Sequence, residues 1–195
     1  MTAFPPHHVV RDEVLARRAA AGDEDAFAVL VSRHHPRIER YCRSIVRHDE
    51  DGSDAAQNAM AKAMLALRNG AGPDQAVRAW LYRIAHNEAI SLLRRRRDEP
   101  ELSDRMPTQG DSLTDTVELR DDVARLMDAV RHLPPGMRSA FLLRELTGLD
   151  HRTIGQVLGI SQGASRQAVC EARQSLRRAT SAHVMHWRRP PALRS

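Results

Sequence analysis

Two short stretches of the 195-residue chain hold the side chains with the clearest chemical use. In the first, Trp80 and Tyr82 are followed by Arg83, Asn87 and the run Arg94 to Arg97. Rings beside guanidinium groups suit separated nucleic-acid strands, since bases stack on the rings and cations track the phosphates. In the second, Thr153-Ile154-Gly155-Gln156-Val157-Leu158-Gly159-Ile160-Ser161 leads into Gln162, Ser165, Arg166, Gln167 and Arg173. That order predicts a helix-turn-helix whose second helix enters a major groove. Ile154, Val157, Leu158 and Ile160 form its apolar seam. Gly155 permits close helix approach, Gly159 supplies the positive-φ turn residue, and Ser161 caps the second helix. Recognition helices read base edges from their N-terminal residues, so Gln162, Arg166 and Gln167 are base-contact candidates, with Ser165 and Arg173 on the same outer side. One chain with both stretches is equipped to hold duplex DNA at one end and opened DNA at the other.

The elements that must position these groups all read as helices. Residues 1–10, with two prolines and two histidines, form a loose tail. Asp23-Glu24-Asp25 marks a helix start, where negative charge complements the macrodipole. Phe27, Leu30, Val31, Ile38, Tyr41 and Ile45 follow roughly on one face, and Pro36 is expected to kink or split that helix. A second helix is expected from about Ser53, a plausible N-cap, through Met60, Met64 and Leu67. Asn69-Gly70-Ala71-Gly72-Pro73-Asp74 breaks it. A third is expected over 75–97, burying Val77, Trp80, Leu81, Ile84, Ala85, Ile90 and Leu93. Trp80 and Tyr82 are two apart and point to different sides, so one is core and the other partly exposed. After a connector over 98–118, helices are expected at 119–132, 136–147, 151–158 and 162–180, with residues 183–195 as a tail. The fold class is all-α, with two small helical domains (11–97 and 119–182) joined by an acidic flexible linker, the second containing the helix-turn-helix.

Charge follows the same division. Residues 1–97 hold 16 basic and 12 acidic side chains, residues 98–122 hold 2 and 9, and residues 123–195 hold 12 and 4. Two basic lobes around an acidic connector fit a nucleic-acid partner. Lys62 is the only lysine among 30 basic residues; arginine suits bidentate recognition of bases and phosphates, and GC-rich codon bias accounts for part of the excess.

Other chemistries find little support. Cys42 and Cys170 form no CxxC pattern, which argues against a disulfide framework or zinc ribbon and for a reducing, cytoplasmic compartment. Cys42 falls in the apolar register. His183 and His186 are three apart but lack neighbouring carboxylates or thiols, so neither a metal nor a cofactor is expected. No apolar run is long enough for a membrane span, and the start lacks a signal-peptide pattern. Gly70-Ala71-Gly72 lacks the rest of a phosphate loop, and nothing resembles a hydrolytic triad, so no enzyme is expected.

Four blocks taken together resemble the extracytoplasmic-function sigma factors of bacterial RNA polymerase. They are Asp54-Ala55-Ala56-Gln57-Asn58; Trp80 through Asn87; Leu133-Pro134-Pro135 with Phe141-Leu142-Leu143-Arg144-Glu145; and the helix-turn-helix. The resemblance implies core RNA polymerase, through its β′ and β subunits, and promoter DNA as partners, with an anti-sigma factor as a further candidate. It places Asp54, Gln57 and Asn58 at the polymerase contact. It assigns Asn69, Gly70, Arg78, Trp80, Arg83, Asn87 and Arg94 to the −10 element, where the loop from Asn69 to Val77 holds a flipped base. It assigns Arg144, Thr153, Ser161, Gln162, Ser165, Arg166, Gln167 and Arg173 to the −35 element. The acidic connector would pass through the polymerase cleft as a mimic of nucleic acid. Asn58 stands where the family usually has Glu, Met60 and Met64 where it has bulky aromatics, and Ser165, Ala168 and Glu171 also depart from its pattern. The competing reading is a stand-alone helix-turn-helix regulator that never contacts polymerase. A third, an anti-sigma-like interaction module, predicts acidic rather than basic lobes.

Overall fold

A computed structural model describes the backbone of residues 10–98 and 126–187, with side chains described for residues 10–96 and 126–179. Every regular element among the described residues is a helix. The connector expected over 98–118 lies outside them apart from residue 98, as do the ends at 1–9 and 188–195 and the side chains of His183 and His186.

The first lobe comprises α1 (Asp12–Ala20), α2 (Glu24–Val46), α3 (Asp49–Arg68) and α4 (Val77–Asp98). The Asp23 side chain caps α2, accepting from the Ala26 N–H at 2.9 Å. Of the two outcomes expected at Pro36, the split does not occur: α2 runs through it as one helix. Pro36 is exposed, so its missing amide bond falls on the solvent side, while His34, Ile38, Tyr41 and Cys42 are buried and hold the helix across it. α3 begins four residues before Ser53. Its cap is His48, whose Nδ1 accepts from the Asp51 N–H at 3.4 Å. Gly52 then lets α3 lie on α2, since a Cβ there would sit 2.5 Å from the Arg43 Cα.

α1 is tied down by charge as well as by Leu15, Ala16 and Ala19. Asp12 accepts from Arg33 at 2.8 Å and pairs with the buried His34 ring at 2.7 Å. The His34 hydrogen bond, reinforced by Arg33, holds the Asp12 carboxyl below its ordinary value of 3.8. A lowered carboxylate stabilises the fold above that ordinary value and loses its contribution as pH falls through the lowered one. Asp12→Ala is expected to cost about 1–2 kcal/mol at neutral pH, and the difference from wild type should vanish in strong acid. Urea unfolding at both pH values measures this.

The second lobe comprises α5 (helical over 126–132), α6 (Pro135–Thr147), α7 (His151–Leu158) and α8 (Gln162–Trp187). Pro135 sits in the first turn of α6, where its lack of an N–H costs nothing. Gly148 and Gly159 close α6 and α7 in the left-handed region, with φ of 66° and 68°. α8 continues to Trp187, seven residues past the expected end. The two lobes touch directly, α2 against α6 and α4 against α7.

Candidate nucleic-acid interface

The helix-turn-helix forms as the sequence implies. Asp150 caps α7 by accepting from the Thr153 N–H at 2.8 Å, and this bond holds its carboxyl below the usual range. The Ser161 hydroxyl caps α8, accepting from the Ala164 N–H at 3.0 Å. At the crossing, a Cβ on Gly155 would lie 2.6 Å from the Ile160 carbonyl oxygen. Ile154 and Val157 are buried, but Leu158 is half-buried and Ile160 is exposed, so the seam is narrower than expected.

Gln162, Arg166 and Gln167 are exposed on the first turns of α8. Gln167 donates to Glu171 at 2.9 Å, which orients its amide. Ser165 requires correction. It is fully buried and its hydroxyl lies 3.2 Å from His151 Nδ1, so it packs α8 onto α7 rather than facing DNA. Arg144 is half-buried and donates to the Leu149 carbonyl at 2.8 Å, bracing the α6–α7 turn. Thr153 is half-buried, and Arg173 is paired with Glu145 at 2.6 Å. Burial, then the charges of Arg144, Arg166 and Arg173, lower the His151 pKa. Three guanidiniums thus act on one end of the motif, opposed there by the Asp150 carboxylate.

In the first lobe, Asp54, Gln57 and Asn58 are exposed along one face of α3, opposite buried Ala55, Ala56, Ala59 and Met60. Asn69, Gly70, Arg83, Asn87 and Arg94 are exposed around the α3–α4 loop and along α4. Ala76, at the end of that loop, has φ of 56°, an uncommon conformation for a residue with a Cβ. Trp80 is half-buried and Tyr82 fully buried, so one aromatic of the pair keeps an open edge. Tyr82, not counted on the buried side from sequence, is covered partly by Tyr41, with ring centroids 6.3 Å apart at 80°. Arg78, expected at the −10 element, is half-buried and donates to the Thr147 carbonyl of the second lobe.

Residues 30–99 match sigma-70 region 2, and residues 124–176 match sigma-70 region 4. The ECF RNA polymerase sigma factor SigM of Mycobacterium tuberculosis is 33% identical over 180 residues, covering 90% of this chain and 87% of its own. The chain belongs to the extracytoplasmic-function sigma factors. The RNA polymerase sigma-H factor of Pseudomonas aeruginosa is likewise 33% identical, over 87% of this sigma factor and 93% of that one. A solved structure of CnrH in complex with the cytosolic domain of CnrY matches with a TM-score of 0.69 at 29% identity, covering 88% of this chain and 97% of that chain.

The region 2 match covers most of α2 with α3 and α4, and the region 4 match covers α5 to α7 and the first part of α8. Of the departures from the family pattern, Asn58 lies on the exposed face of α3, Met60 is core and Met64 half-buried. Among the described residues, no helix is long and apolar enough to cross a membrane, and no group of three metal-ligating side chains gathers.

Proposed function

We propose that this sigma factor directs promoter-specific initiation in the cytoplasm by joining core RNA polymerase to promoter DNA. Asp54, Gln57 and Asn58 form the polymerase contact. Asn69 and Gly70 in the loop, with Trp80, Arg83, Asn87 and Arg94 on α4, hold the opened −10 strand. Gln162, Arg166 and Gln167 read the −35 duplex, with Ser161 and Thr153 at the approach to the backbone and Arg173 held by Glu145. An anti-sigma factor remains a further partner in this proposal, on the family resemblance alone.

The observation that carries the reading is the presence on one chain of two separately built, exposed polar surfaces. One is a helix-turn-helix with an open recognition-helix start. The other is a basic helix with a partly open tryptophan beside a glycine-bearing loop. A stand-alone regulator needs only the former. Run-off transcription with core polymerase over a promoter library tests the proposal: specific transcripts are expected, and none from any promoter would sink it. Arg166→Ala is expected to weaken −35 recognition by about 1–3 kcal/mol if the contact is bidentate. Polymerase binding should be unchanged, and unaltered promoter choice would move the base-reading face elsewhere.

A further inference from the structure

α2 carries an exposed basic ridge that the functions above do not use. Arg33, Arg37, Arg40 and Ser44 recur at spacings of four, three and four, which sets them in one line along the helix, and Arg47, its C-cap, continues that line. The line lies away from the buried stripe of His34, Ile38, Tyr41, Cys42 and Ile45. Arg33 is taken by Asp12 at 2.8 Å. Arg37, Arg40 and Arg47 are exposed, and none of them meets a carboxylate among the described residues. Arg43, on the α3 side of the same helix, is by contrast held by Glu39 at 2.8 Å.

The two ends of the ridge distinguish it from an ordinary solvated helix face. Where α2 ends, positive charge crowds rather than alternates. Arg47 and Arg138 of α6 both donate to the Arg131 carbonyl, at 3.5 and 3.2 Å, and the Arg131 side chain is itself exposed. Burial, then the Arg47 charge, lowers the Arg138 pKa, and Arg138 Nε is buried without a hydrogen bond. Guanidiniums gathered without a counterion repel one another, and a polyanion that enters removes the repulsion. At its other end the ridge adjoins α4, the helix of the −10 group, since the Arg37 charge acts on Tyr82 together with that of Arg78.

We propose that Arg37, Arg40 and Arg47 form a track for the phosphate backbone of promoter DNA, carrying the nucleic acid on from the −10 group of α4 across α2. The inference rests on the proposed function and extends its contact surface to a helix that nothing above assigns to DNA. From Arg37 to Arg47 the helix rises about 15 Å, which matches roughly four phosphates of one strand at ~3.4 Å each along the duplex axis. The guanidinium fork is permanently charged and meets phosphate oxygens bidentately. The track reads no bases. Contacts of this kind position DNA and add affinity for every sequence alike.

Fluorescence anisotropy of the full chain with a labelled DNA duplex, and with one of its strands alone, across a series of low salt concentrations reads the track directly. The slope of log K against log salt counts phosphate contacts, at about 0.9 each on duplex and about 0.7 each on a single strand. The double variant Arg37→Gln/Arg40→Gln should lower that slope by roughly 1.8 on duplex or roughly 1.4 on the strand, whatever the DNA sequence. Arg47→Gln alone should lower it by about half as much. The arm that shows the full loss identifies the form of DNA on the ridge. Circular dichroism should be unchanged, because all three positions are exposed. Arg43→Gln removes the same charge from a guanidinium already held by Glu39 and should leave the slope near that of wild type. A double variant with the wild-type slope in both arms overturns the track and leaves an acidic protein surface as the partner of these arginines. An equal loss from Arg43→Gln also overturns it, as an effect of net charge alone. The measurement needs neither polymerase nor a promoter sequence. A slope that falls while no run-off transcript appears would keep the track and lose the proposed function; transcripts with an unchanged slope would do the reverse.

Discussion

Gly155→Val is expected to destroy the helix-turn-helix while leaving the first lobe folded. The position lies at the crossing of α7 and α8, where even a bare Cβ would stand 2.6 Å from the Ile160 backbone oxygen. Backbone cannot rotate away as a side-chain tip can. The Ile160 N–H also donates to the Gly155 carbonyl at 3.0 Å, so relieving the clash would break the turn's own hydrogen bond. Overpacking costs about 1–3 kcal/mol where neighbours can shift, and here the cost should lie at or above the top of that range. A lobe of this size has only a few kcal/mol to lose. Gly163→Ala is the matched control, because its nearest neighbour would be the Ser161 hydroxyl at 3.8 Å. Thermal melting should show loss of the second-lobe transition only for Gly155→Val, with −35 duplex binding abolished. Wild-type DNA binding by that variant would mean the turn opens more freely than its geometry allows.

The same turn shows why some of the molecule was legible in the sequence. Gly155, Gly159 and Ser161 each have one strong local reason for their identity, so the turn could be placed residue by residue. Ser165 shows where that logic fails. A small polar side chain reads as surface by type, yet Ser165, Val169, Ala172 and Leu176 form one buried stripe at helical spacing. Periodicity, given more weight than polarity, would have found it. His48 was missed as a cap because imidazole is an uncommon acceptor at that position, and Ser53 offered a more familiar one. Pro36 invites a kink or a split because its local cost is large, but buried residues on both sides of it keep α2 in one piece. Tyr82 and Arg78 differ from expectation for another reason. Tyr82 is covered by Tyr41 of α2 and Arg78 reaches the Thr147 carbonyl of the second lobe, and contacts between elements far apart in the chain leave no period in either sequence.

Asp54→Arg is expected to abolish association with core polymerase without unfolding the protein. Asp54 and Gln57 lie three residues apart on the exposed side of α3, with Asn58 adjoining, so a single partner surface can meet all three. The inner side of the same helix is closed by Ala55, Ala56, Ala59 and Ala63, which pack it onto its neighbours without involving Asp54. Reversing an exposed charge leaves that packing alone and should change stability by no more than about 0.5 kcal/mol. In a partly desolvated interface the same reversal replaces an attraction with a repulsion and costs several kcal/mol, roughly 2–5. A pull-down with core enzyme and a circular dichroism spectrum from one preparation separate the two effects. Normal holoenzyme formation by folded Asp54→Arg would remove Asp54 from the contact and shift attention to Asn58, the departure from the family pattern on the same face. Loss of binding with intact helicity, alongside unchanged −35 duplex binding, would assign the polymerase contact to α3 and leave DNA reading to the second lobe.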